Sequence, residues 1–180
     1  MRRVTSAALS VCGVLLASLV AWGGQAETPM ETLVKRAILR GLPGVSVLVY
    51  GVGPEAERDG LIGVQLQREV ELRLRTAGIR VLTEQEARQV AGYPSLVVSL
   101  ITLRTHDPVL ENVYAIGLNV QVLENVRLSR DTAIEITTPT WNSQSLIGLM
   151  GVSKLAPRVR AEVTGFVDGF ISDYLAANPK

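Results

Sequence analysis

The sequence predicts an α+β fold, a two-layer sandwich in which helices lie mainly on one face of a mixed sheet of about five strands. The first observation is a helical repeat, because apolar side chains recur every three or four residues from Leu155 to Tyr174. The second is a strand repeat, because apolar residues alternate with polar or small ones from Tyr114 to Val122. The third is the predicted element order, α-β-α-β-α-β-β-β-α, with an antiparallel meander in its second half.

Capping signals and glycines mark the elements of the first half. Residues 28–31 (Thr-Pro-Met-Glu) combine a helix cap, a proline at the first turn and a glutamate three residues after the cap. They predict a helix with a short apolar stripe at Leu33, Ala37 and Ile38. Residues 45–52 are predicted to form a strand because they are mostly β-branched and apolar, and residues 51–60 are predicted to form a loop.

A second helix is predicted to begin with Asp59 as its cap and to run to about Ala77. Its apolar stripe is Ile62, Leu66, Val70, Leu74 and Ala77. Residues 79–82 are predicted to form a short strand, and Thr83 opens a second capping box before a short helix. The sequence therefore predicts two short capped helices on either side of a longer amphipathic one.

The second half supplies most of the predicted core. Residues 96–104 are apolar on both faces, so we expect a central strand, and residues 134–141 are expected to form the last strand. The final helix, residues 153–177, is predicted to cover the sheet with a stripe that consists of Leu155, Val159, Val163, Phe166, Phe170 and Tyr174.

The N-terminus has the features of a secretory signal peptide at residues 1–26. Arg2 and Arg3 precede an apolar run at residues 7–21, and small residues occupy positions 24 and 26. The run is shorter than the ~20 residues that a membrane-spanning helix needs. We therefore predict cleavage after Ala26, export to the periplasm or the medium, a single domain at residues 27–180 and no transmembrane span after cleavage. A retained N-terminal anchor is the alternative.

Charge and composition exclude several classes of function. The chain has 18 basic and 17 acidic residues and no basic stripe, which argues against a nucleic-acid partner. It has one histidine and one cysteine, so we expect neither a metal site nor a cofactor. Cys12 does not fit a lipoprotein signal because the bulky Val11 precedes it, and it leaves with the predicted signal peptide.

Two short motifs could take part in ligand binding or catalysis. Residues 51–56 fit the spacing G-x-G-x-x-A after a strand, but Pro54 removes an amide and the acidic residues that follow would repel a phosphate. We interpret this motif as a plain loop. His106, near Asp107 and Glu111, is the one credible catalytic centre, and the alternative is a solvated histidine in a turn.

An apolar, glycine-rich segment follows the last predicted strand. Trp141 ends that strand, and Leu146, Leu149 and Met150 lie in the segment, residues 146–152. Clusters of methionine, tryptophan and leucine are typical of surfaces that bind partners or acyl chains. These four residues are the predicted binding site. The alternative is that the segment closes the end of the core.

This order of capped helices and strands, behind an export segment, resembles the small α/β domains of bacterial envelope accessory proteins. Examples are the N-terminal part of the Tol-Pal translocation protein and the auxiliary lipoproteins of lipid-transport systems. The resemblance implies an assembly or transport accessory of the envelope. Because the sequence also offers few residues for metal or nucleophilic chemistry, we expect an exported module that binds an envelope protein partner and is not an enzyme. A carrier of a lipid or small apolar ligand, held between the final helix and the sheet, is the first alternative. A hydrolase centred on His106 is the second.

Overall fold

The computed structural model describes residues 28–105 and 107–179, and over these residues the protein has the predicted α+β fold. Five helices and one mixed, open sheet of five strands are present there. The helices are α1 (Pro29–Ile38), α2 (Pro54–Arg58), α3 (Gly63–Thr76), α4 (Glu84–Ala87) and α5 (Val152–Ala177). The strands are β1 (Ser46–Tyr50), β2 (Ser95–Arg104), β3 (Val113–Leu128), β4 (Asp131–Asn142) and β5 (Leu146–Gly151).

The longest strand, β3, organises the sheet. On one side β3 is antiparallel to β2, and β2 is in turn parallel to β1. On its other side β3 pairs with β5 through its first half and with β4 through its second half. The predicted antiparallel meander is therefore present as β2-β3-β4, and β5 returns to the same side of β3 as β4.

The five observed strands differ from the predicted strands at two places. The strand predicted at residues 79–82 is reduced to one bridge, between Val45 and Val81. The segment from Leu146 to Gly151, read from the sequence as glycine-rich and irregular, is instead strand β5. Its two-residue alternation was hidden because Gly148 removes one side chain from the repeat.

The start of the long second helix also differs from the prediction. The predicted loop at residues 51–60 contains the short helix α2, and Asp59 is the residue that ends α2. The helix that Asp59 was expected to cap, α3, has Ile62 as its N-cap and no side-chain capping bond. The capping boxes at Thr28 and Thr83, in contrast, form as predicted.

The core lies between α3, α5 and the face of the sheet that they cover. On α5 the buried side chains are Leu155, Val159, Val163, Val167, Phe170 and Tyr174. Phe166 of the predicted stripe is only partly buried, whereas Val167, which the sequence places beside that stripe, is fully buried. Spacings of four, three and four residues from Val163 keep successive side chains on one side of a helix with 3.6 residues per turn. Phe166 is displaced from that line.

Helix α1 lies with its apolar stripe turned away from the core. None of its residues is buried. Thr32 and Lys35 are the half-buried ones, whereas Leu33 is 62% exposed. The predicted stripe of this helix therefore exists but does not contribute to the core.

Phe170 and Phe166 make a matched pair for a test of this core. Phe170→Ala is expected to lower the free energy of unfolding by about 3–5 kcal/mol, because a fully buried ring leaves a cavity. Phe166→Ala is expected to cost less than half as much, because its ring is partly solvated in the native state. Urea denaturation of both variants measures the two losses. Equal losses would contradict the burial pattern of α5.

Candidate binding surface

The face of the sheet opposite α3 and α5 carries large apolar side chains in contact with solvent. Strand residues alternate between the two faces, so those not directed at the helices share this second face. Its exposed apolar members are Leu48 and Tyr50 on β1, Ile101 and Leu103 on β2, and Ile147 and Leu149 on β5. We call these six residues, with Ala115 and Gly117 between them, the open face.

Strand register gives the open face a trough. Gly117 pairs with Ile101 on one side and with Ile147 on the other. Ala115 likewise pairs with Leu103 and Leu149. A Cβ atom at position 117 would lie 3.6 Å from the side chain of Ile101. Because Ala115 and Gly117 are small, the middle of the trough is lower than its two sides. The side chains that form the two sides of the trough belong to β2 and β5, which are about 10 Å apart. We call these two sides the ridges.

The open face carries no charged side chain. In the cross-strand row that contains Leu48, the paired residues are Val97, Gln121 and Asn142, which are apolar or neutral polar. The ion pair between Arg127 and Glu135 (3.4 Å) lies beyond the end of β2. The six exposed residues present on the order of 600 Å² of apolar area, at the upper end of the about 300–600 Å² of the largest patches on monomeric proteins.

The four residues predicted as a binding site lie on different sides of the sheet. Trp141 is 3% exposed, and its indole nitrogen donates a hydrogen bond to the Asp173 carboxylate at 3.1 Å. Leu146 and Met150 pack against the core, whereas Leu149, which alternates with them along β5, is 63% exposed. The structure therefore places only Leu149 on the open face.

Sequence reasoning missed the other five exposed residues of the open face, which are Leu48, Tyr50, Ile101, Leu103 and Ile147. Strand β2 is apolar on both faces, which predicted a strand buried on both sides. The first part of β2 fits that prediction, since Leu96, Val97 and Val98 are fully buried. Ile101 and Leu103 are each 62% exposed. For Ile147, the alternation along β5 was the signal that could have been used.

A polar cluster joins the loop after α2 to the sheet. The Asp59 carboxylate accepts hydrogen bonds from the Tyr114 hydroxyl at 2.8 Å and from Arg104 at 3.2 Å. Arg104 also donates to the side chain of Asn112 at 3.0 Å. Burial, followed by the hydrogen bond to Asp59, raises the pKa of Tyr114 to about 12. A tyrosine held protonated in this way is a structural donor and not a nucleophile.

The glycines of the motif at residues 51–56 have a packing role. Gly51 has a φ of 85°, and a Cβ atom there would lie 1.7 Å from the carbonyl oxygen of Leu100. The Gly53 amide already donates to the Thr102 hydroxyl at 2.9 Å. Because α2 then begins with Pro54, the loop offers few free amides to a phosphate.

The predicted centre at His106 lies outside the described residues. Beside it, the Asp107 carboxylate accepts a hydrogen bond from the Val109 amide at 2.7 Å. Within residues 28–105 and 107–179, no three histidine, cysteine, aspartate or glutamate residues come close enough together to hold a metal ion.

The proposed ligand position between α5 and the sheet is occupied by packed side chains. Val159, Val167 and Phe170 are fully buried there. A lipid at that position would have to displace them. A surface groove of about 490 Å³ lies instead between α3 and α5, where Arg73 donates to Asp168 at 2.6 Å.

No protein-family model matches the chain, and no curated protein is similar enough in sequence to count as a relative. Among the described helices, none combines the length and the apolar character needed to cross a membrane.

The raised pKa of Tyr114 predicts how stability depends on alkaline pH. Because the folded state favours the protonated hydroxyl, its contribution is complete below pH 10 and is lost as pH rises toward about 12. We expect the unfolding free energy of the wild type to fall over this range by up to about 2–3 kcal/mol more than that of Tyr114→Phe. Urea denaturation at a series of pH values measures the difference. Parallel curves for the two proteins would contradict the prediction.

Proposed function

We propose that the protein is an exported envelope accessory module that binds a protein partner through the open face. The observation that carries this proposal is a continuous, uncharged apolar surface that no described element of the fold covers. Apolar area of this size is costly to leave in water. A surface suited to binding, together with the N-terminal export segment, supports an accessory role.

The chemistry of the open face defines the partner. Without charged groups it cannot steer an ionic ligand, so the partner presents an uncharged, apolar surface. The backbones of β2 and β5, on either side of Ala115 and Gly117, are about 10 Å apart, which is close to the diameter of an α-helix with its side chains. An amphipathic helix laid in the trough would contact the ridges at Ile101 and Ile147. We propose such a helix as the element that binds.

Export is supported by the sequence of the N-terminus, which lies outside the described residues. Residues 1–26 carry the basic start, the apolar run and the small residues that precede signal cleavage. The residues after position 26 contain no cysteine, so the domain is built to be stable without disulfides in an oxidising compartment. The mass of the protein isolated from the envelope fraction tests this part of the proposal, and we expect a chain that begins at Glu27.

Site-specific photo-crosslinking in intact cells tests the binding surface. A photoreactive residue replaces Ile147 in one protein and Leu72 in another. Ile147 is 74% exposed on the open face, and Leu72 is 65% exposed on α3. We expect a discrete adduct from position 147, identified by mass spectrometry as a helical segment of one partner, and none from position 72. Similar adducts from both positions would contradict the proposal.

Charge substitutions supply the matched control. Ile101→Lys and Leu149→Lys together are expected to abolish the adduct at position 147, because two lysines would be desolvated in the interface. Leu72→Lys is expected to leave the adduct unchanged. All three positions are solvent-exposed, so the thermal unfolding curves of the variants should stay close to that of the wild type. An adduct that survives the double substitution would show that the open face is not the binding site.

A further inference from the structure

Helix α1 presents an apolar surface that neither the fold nor the proposed binding site uses. The residues at three- and four-residue spacing on its outer side form this surface, which we call the α1 stripe: Met30, Leu33, Val34, Ala37 and Ile38. At 100° per residue they cover one continuous arc of the helix. All five are exposed, so this amphipathic helix is reversed relative to the usual orientation of a helix on a globular core.

Polar contacts hold α1 in the reversed orientation. Arg36 donates to the Asp173 carboxylate at 3.2 Å. The Lys35 ammonium lies 5.8 Å from the centre of the Trp141 ring, within cation–π range. Both partners belong to the domain core, on α5 and β4. Rotating the helix to bury its stripe would break these contacts, so the stripe is left for something outside the described fold.

The charges beside the α1 stripe are mainly basic. Lys35 and Arg36 contact Trp141 and Asp173, and a further basic residue, Arg40, is exposed next to the stripe, just after α1. The single acidic residue of the helix, Glu31, is tied into the Thr28 capping box. An exposed apolar arc with a basic residue at its end is suited to the interface of an anionic membrane.

The position of α1 in the chain favours the same occupant. The apolar run at residues 7–21 ends seven residues before Thr28, a stretch that spans at most ~25 Å. In the alternative in which the N-terminal segment is retained as an anchor, this length keeps α1 close to the bilayer. We propose that the α1 stripe binds the surface of a lipid bilayer that contains anionic headgroups. The stripe supplies its own apolar contact, so the proposal does not require the N-terminal segment to be retained.

Membrane binding through α1 is compatible with partner binding through the open face. Helix α1 contacts α5 and β4 on the helical side of the sheet, whereas the open face is on the opposite side. The two surfaces do not overlap, and each can be changed by substitution without altering the other.

A fluorescent label at position 34 tests the proposal. The only cysteine of the chain is Cys12, so Cys12→Ser provides a background for Val34→Cys and, as the control, Leu72→Cys. Each protein, as produced by cells, is labelled with bimane and mixed with phosphatidylcholine vesicles that contain or lack phosphatidylglycerol. We expect a blue shift and protection from an aqueous quencher at position 34 with phosphatidylglycerol, a several-fold weaker response without it, and no response at position 72.

Two substitutions sharpen the result. Leu33→Asp is expected to abolish the response of the label at position 34, and Arg40→Gln is expected to weaken it with anionic vesicles only. The proposal is overturned if the label at position 34 does not respond to anionic vesicles, or if the labels at 34 and 72 respond equally. It is also overturned if the label at position 34 is shielded before vesicles are added, which would assign the stripe to a second copy or to a protein.

Discussion

The packing of α5 along one face of the sheet is the constraint on which the rest of the structure depends. Its buried side chains run from Leu155 to Tyr174 and meet the core-facing residues of β3, while α3 covers β1. Both helices lie on the same side, so they leave the second face of the sheet uncovered where the open face lies. The open face is therefore a direct consequence of the architecture. What needs explaining is why its residues are apolar.

Asp173 links this packing to the surface helix. Its carboxylate accepts hydrogen bonds from the Trp141 indole on β4 and from Arg36 on α1. Trp141 in turn packs edge-on against Phe170, with ring centres 5.3 Å apart. One carboxylate on α5 thus orients both the aromatic part of the core and the reversed helix. Trp141, which the sequence suggested as a binding residue, connects internal elements instead.

Local patterns in the sequence predicted most of the helices and strands. They were less successful in predicting which faces of those elements are buried. The capping boxes at Thr28 and Thr83 and the alternation of β3 depend on neighbouring residues, so they could be read directly. Which apolar face meets a helix depends on distant parts of the chain. For that reason the sequence predicts β2 as a central strand and does not show that its outer half and the α1 stripe are exposed. Phe166 and Val167 are adjacent, and only the packing on the sheet distinguishes them.

Strand β5 supports the proposal that the open face binds a partner. Among the described strands, β5 pairs with β3 alone, so no described strand pairs with its other edge. The strand also carries no charged residue. Free edges of this kind are usually protected by lysine or proline because they invite aggregation. Ile147 and Leu149 point away from the core, where the fold would tolerate a charge. Since folding does not require these apolar side chains, their contribution is best accounted for by an apolar partner that covers them.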